Sequence, residues 1–261
     1  MPEIVHSHGV VFLMVLVRVS GLVLFVPGLQ ALSAPRWTRL LLPLALALLI
    51  TPIHSPAAAS GTGSMMDLVV PLCREAVLGL VMGVSLLAVV AGMQGAGSLL
   101  GQISGMSLAE TAGPDSAVPS TLMAGLFRWL ALVCFLVSGG HRHALAAILD
   151  SFRWMPPGQV GFATGLVATL TEVIAHSLEL ALRVAAPVAL ALMVTTIALA
   201  LMQRALPQLN IMALGLGLNT AVALLAICLV LGALAWTFQD ETDRTMARLQ
   251  ETLTNLPAAV R

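Results

Sequence analysis

Glu172, His176, Glu179 and Arg183 step by four, three and four through an apolar stretch, which stacks them on one face of a helix. Glu179 precedes Arg183 by four residues, the favourable order for an ion pair. Arg18 lies in the middle of an earlier apolar segment, Arg74 and Glu75 open another, and Arg128 sits within a fourth. An ionisable group held in hydrocarbon costs at least ~2.5–3.5 kcal/mol, so each of these needs a partner or a purpose. Two readings are open. Either the charges pair inside a helical bundle or near an interface, or they line a polar passage or touch another subunit. Their number, with no obvious internal partner set, favours contact with other chains.

Enzymatic chemistry finds little material. His141 and His143 could ligate a metal, but two ligands with no third nearby make a weak site. Ser138, followed by Gly139, Gly140 and His141, could serve as a nucleophile within a membrane. Its base would have to come from a separate helix, and no matching pair is present. No GxxxxGK[ST] loop exists to cradle phosphate, and the sequence contains no lysine to complete one. The expectation is a non-enzymatic protein without cofactor or metal, driven by energy supplied elsewhere.

The elements that carry these residues are apolar. Of 261 residues, 59% are hydrophobic and 9% charged, against roughly a quarter charged in a soluble domain. Lipid or other protein is therefore the solvent for much of the chain. The net charge of zero argues against nucleic acid as a partner. Cys73, Cys134 and Cys228 lie far apart in apolar runs, where small buried hydrophobes are expected rather than disulfides or ligands. The first apolar stretch is about 20 residues long and has no basic n-region, so it reads as a retained span.

Six apolar segments emerge, near 9–29, 38–53, 68–92, 120–138, 173–202 and 211–236. All but the second approach the ~20 residues needed to span hydrocarbon. The breakers are Pro35 with Arg36 and Arg39, TPIHSPAAASGTGS (51–64), a glycine-rich stretch to Pro119, and WMPPG (154–158). A tail follows in which Met246, Leu249, Leu253 and Leu256 recur at steps of three and four, an amphipathic helix. Orientation stays unassigned. Arg142, Arg153, Arg244, Arg248 and Arg261 fall on one side of six spans and Arg36, Arg39 and Arg204 on the other, too even a split for the positive-inside rule.

Two joints stand out. Gly97, Gly101 and Gly105 recur every four residues, preceded by Gly92 and Gly95. Small residues so spaced let helix backbones approach closely. The ladder runs on into GQISGMSLAETAGPDSAVPS (101–120), which lacks arginine and aromatic residues; a loop of that length and looseness suits a segment that sits in a narrow space and moves aside. The second joint is QRALPQLNI (203–211). Pro207 breaks the helix, Gln208 and Asn210 can satisfy freed backbone groups where water is scarce, and Arg204 suits the carbonyl end of the preceding helix. A solvated turn and a rigid tip for subunit contact are both open.

Six motifs occur in order over some 200 residues. They are LVRVSGLVLFVPGLQALSAPRWTRLLLPLALALL (16–49), REAVLGLVMG (74–83), GQISGMSLAETAGPD (101–115), GGHRHALAAILDSFRWMPPG (139–158), AAPVALAL (185–192) and RALPQLNI (204–211). Together they resemble the FliR family of flagellar biosynthetic proteins, whose counterparts in virulence secretion systems form the SctT family. The family loop GxxxGLSxAxxxDP has Gly-Pro-Asp here where Asp-Pro is usual. After PQLNI the family often carries a Pro-Leu-Lys step, and GLGLNT (215–220) stands there instead.

The resemblance implies an all-α, membrane-associated protein: a FliP-like helical part over 1–160, a FliQ-like helical hairpin over 161–237, and an amphipathic tail over 238–261. Such a chain joins FliP-like and FliQ-like partners in a larger helical assembly of the bacterial inner membrane and flagellar basal body. That assembly is the export gate, working with FlhA-like and FlhB-like components. It is raised largely out of the bilayer plane, and unfolded flagellar subunits pass through its centre. A plug maps onto about 102–119, including Gln102, Ile103, Ser104, Gly105, Met106, Ser107, Leu108, Pro114 and Asp115. Arg204, Pro207, Gln208 and Asn210 form the hairpin tip at the pore mouth. Arg18, Arg74, Glu75, Arg128, Glu179 and Arg183 are the buried or subunit-facing charges. The rival class is a stand-alone secondary transporter or channel for a small solute, for which a repeat between halves is the missing sign.

Overall fold

The computed structural model of the chain describes residues 2–27, 36–53, 65–106, 122–158, 164–205 and 211–255. All regular structure among these residues is helical: α1 (Pro2–Phe25), α2 (Arg36–Ile50) with a 3-10 turn at Thr51–Ile53, α3 (Met65–Ile103), α4 (Leu122–Val137), α5 (Gly140–Trp154), α6 (Thr164–Ala205) and α7 (Ile211–Asn255). Each expected apolar segment is present as a helix. Among the described residues four helices are long and apolar enough to cross a membrane, and α4 with α5 make a broken pair that could count as a fifth. Gly139, at φ +74°, makes the break, since a residue with a Cβ rarely adopts that conformation.

Several helices run beyond the hydropathy pattern. The glycine-rich end of α3 continues to Ile103, because close packing on its neighbours outweighs the poor helix propensity of glycine. The helix then stops at Gly105, whose φ of +79° suits a helix C-terminus. Residues 238–255 of the expected amphipathic tail lie in the same 45-residue helix as the apolar part of α7, and Glu241, Thr242, Thr245 and Met246 there are buried; Leu256 lies outside the described residues.

The chain folds as two compact units. The first comprises residues 1–88, 139–174 and 242–261. Its core includes Val11, Val15, Val19 and Leu22 of α1, Leu78 and Met82 of α3, and Ile148 and Phe152 of α5. The second comprises residues 89–138 and 175–241, with Met93, Leu100, Phe127, Val188, Leu192 and Phe238 at its centre.

In the second unit α6 and α7 form an antiparallel hairpin. A Cβ on Gly215 would touch Leu199 at one end, while His176 approaches Glu241 at the other, so the residues pair in descending order. Only 22% of the apolar window of each of α6 and α7 is buried, against 67% for α3. The cysteines follow this exposure. Cys73 and Cys228 are exposed and Cys134 is half-buried, and all three are free. The expectation that they are buried is corrected: outward faces of these helices are as apolar as inward ones, so an apolar run does not mark burial within the chain.

Candidate functional site

Three distant sequence motifs meet in the first unit. Arg18 and Glu75 are both 0% exposed, and Arg18 Nε donates to Glu75 Oε2 at 2.5 Å. Arg18 Nη1 donates to the Met155 carbonyl at 3.0 Å and to the Ser151 carbonyl at 3.2 Å. The Ser151 hydroxyl lies 3.4 Å from the same nitrogen. The guanidinium also stacks on Phe152, 4.3 Å from the ring centroid. Glu75 Oε1 in turn accepts the Gly158 backbone N–H at 2.8 Å, and Gly158 has a φ of +85°.

The geometry has a plain physical logic. The C-terminus of α5 exposes carbonyl groups with no helical partner and the negative end of the helix dipole. Ser151 O already accepts the Met155 N–H at 3.0 Å. Arg18, 133 residues away, caps what remains with a positive charge. Glu75 neutralises that charge and ties down the loop after α5. Three helices and one loop are thereby locked by a single guanidinium–carboxylate clasp.

Glycines make the clasp possible. A Cβ on Gly79 would overlap the Arg18 carbonyl oxygen, and one on Gly21 would meet the Gly79 carbonyl carbon at 2.8 Å. Any side chain at these crossings would push α1 and α3 apart and pull Arg18 from Glu75. The REAVLG pattern therefore carries the acid and its clearance on one helix, four residues apart.

The remaining candidate residues lie elsewhere. Arg74 is half-buried and engaged in contacts of its own, and Arg128 is half-buried on α4. Glu179 and Arg183 are about half exposed and pair with each other at 2.6 Å. His176 Nδ1 lies 3.3 Å from Glu179 Oε2 and 4.0 Å from the buried Glu241. The stripe predicted from its spacing is thus formed on α6 and reaches α7, whereas Glu172 is exposed. Of the two readings left open for the charges, Arg18 and Glu75 take internal pairing. Glu179 and Arg183 are accessible to another chain.

At the far end of α3, Gln102 and Ile103 are exposed and Ser104 is buried, its hydroxyl donating to the Gly101 carbonyl at 3.1 Å. Met106 is half-buried. Ser107, Leu108, Pro114 and Asp115 lie outside the described residues, as do Pro207, Gln208 and Asn210. Arg204 is exposed in the last turn of α6. His141 and His143 are exposed on α5, and among the described residues no three His, Cys, Asp or Glu come together as a metal site.

Sequence reasoning named Arg18 and Glu75 but not their meeting, and it missed Ser151, Phe152, Met155 and Gly158 as their partners. The available signal was SFRWMPPG, in which a helix end, two prolines and a glycine mark carbonyls in need of a cap.

Helices packed on one another, several of them long and apolar enough to cross a membrane among the described residues, and held in part by a buried Arg18–Glu75 pair, define a helical membrane protein. The chain belongs to the bacterial export proteins, family 1, whose sequence pattern matches residues 10–245. It is 26% identical over 226 residues to the flagellar biosynthetic protein FliR of Caulobacter vibrioides, covering 86% of this chain and 90% of that protein. Similarity to the FliR proteins of Escherichia coli (27% over 209 residues, 80% and 79% covered) and Bacillus subtilis (26% over 254 residues, 95% of each) is comparable. The matched region contains the whole clasp.

Proposed function

We propose that this chain is a non-enzymatic subunit of the export gate of the flagellar type III secretion apparatus in the bacterial inner membrane. The observation that carries the reading is family membership across residues 10–245, with relatives named for flagellar biosynthesis. The exposed apolar faces of α6 and α7 support it, since helices this little buried within their own chain are built to be covered by lipid or neighbouring subunits. In this reading residues 1–160 are the FliP-like part and 161–237 the FliQ-like hairpin. They assemble with FliP-like and FliQ-like subunits and meet FlhA-like and FlhB-like components. The segment at about 102–119 closes the conduit, and unfolded flagellar subunits are the cargo.

Removing the gene from its host tests the role. Export of hook and filament subunits should stop, and a plasmid copy should restore it. Cells that lack the gene yet build filaments would refute the proposal.

A further inference from the structure

Helix α2 takes part in neither the clasp nor the hairpin. It packs on α1, and its buried residues, Pro43, Ala47 and Ile50, occupy roughly 60° of its circumference at 100° per residue. Leu40, Leu41, Leu42, Leu44, Ala45, Leu48 and Leu49 are all exposed and sweep roughly 200° of the rest. Leu40 is 66% and Leu49 69% accessible on opposite sides of that arc. Burying one face of a helix takes a stripe of roughly 100°. No polar side chain interrupts residues 40–50. Twice the width of a protein contact, with no polar edge, calls for a continuous apolar medium.

Length and charge say which medium and how deep. Fifteen residues rise about 22 Å, short of the ~30 Å hydrocarbon core. Arg36, Trp37 and Arg39 cluster at the N-terminal end, and no Asp or Glu occurs between Glu3 and Asp67. Trp37 is 74% accessible. Tryptophan favours the headgroup level, and arginines favour anionic headgroups.

We propose that α2 is a one-leaflet anchor, solvated by acyl chains on three sides, with its Arg36–Arg39 end held among anionic phospholipid headgroups. This does not depend on the export role.

The test uses the full chain, with whatever partners co-purify from native membranes, reconstituted in phosphatidylcholine–phosphatidylglycerol vesicles carrying brominated acyl chains. With Trp129, Trp154 and Trp236 replaced by Phe, Trp37 should lose more fluorescence to bromine near the headgroup than to bromine near the chain end. In the Trp37→Phe version of that protein, Leu41→Trp, Leu44→Trp and Leu49→Trp should each be quenched. Leu49→Trp should respond more to the deeper bromine. Bromine carried only on phosphatidylglycerol should quench Trp37 more than bromine only on phosphatidylcholine, and Arg36→Gln with Arg39→Gln should abolish that difference. Protection of the three leucine positions would mean that protein covers the arc and would overturn the proposal. Quenching of Trp37 that ignores bromine depth would overturn the one-leaflet placement.

Discussion

Replacing Arg18 with Met keeps most of the side-chain volume and removes the cation. Glu75 is then a carboxylate with 0% exposure and no counter-charge, and the Met155 carbonyl loses its donor. Breaking a buried pair by removing one partner costs about 3–5 kcal/mol. For a chain of this size each kcal/mol moves the melting temperature by about 2–4 °C, so Arg18→Met should melt about 6–20 °C lower. The second variant is the informative one. If the pair mattered only as a pair, Arg18→Met with Glu75→Leu would recover stability, because apolar replacement of both partners is often neutral or better. Here the double variant orphans both Met155 O and the Gly158 N–H, groups that cost about 1–3 kcal/mol each when unsatisfied. It should therefore stay as unstable as the single variant. Glu75→Gln, which keeps an acceptor for Gly158, should lose less than Glu75→Leu. The assay is thermal unfolding of this chain within the detergent-solubilised particle it co-purifies in, followed by its susceptibility to protease. A double variant that melts with the wild type would refute the claim that the clasp works by capping backbone.

Gly79→Val should cost more than the ~1–3 kcal/mol typical of overpacking, since its Cβ meets rigid backbone at Arg18, and melting in the same assay checks it. Arg183→Leu removes an exposed i,i+4 pair that contributes about 0.3–0.5 kcal/mol, so melting should barely move. Lost co-purification of partners in that variant would place the pair at a subunit contact, and wild-type assembly would discard that role. Deleting residues 106–116 should leave assembly intact and make the inner membrane leaky to small solutes, read by dye uptake; an unchanged leak removes the plug assignment.

The helices were legible because 3.6-residue packing and hydropathy are local properties. Their lengths were less so, since Gly97 and Gly101 fit a close helix approach but also sit in a glycine-rich stretch that reads as a breaker until their packing partners are known. A Cβ on Gly97 would press on the Met123 carbonyl at 2.6 Å, a neighbour no local pattern announces. Arg18 and Glu75 were visible as costly charges, yet 57 residues separate them, and only the fold says that each answers the other. The pair on α6 was foreseeable because helical spacing alone brings Glu179 to Arg183. Burial was the weakest inference, as Cys73 and Cys228 illustrate: when the surroundings are apolar, hydrophobicity no longer separates inside from outside.

The most direct test of the central claim is the composition of the particle that a tagged copy of this chain brings out of native inner membranes in mild detergent. An export-gate subunit should come out in a stable hetero-oligomer containing FliP-like and FliQ-like helical proteins, and be unstable alone. A monodisperse single chain that moves a small solute across vesicles would contradict the claim.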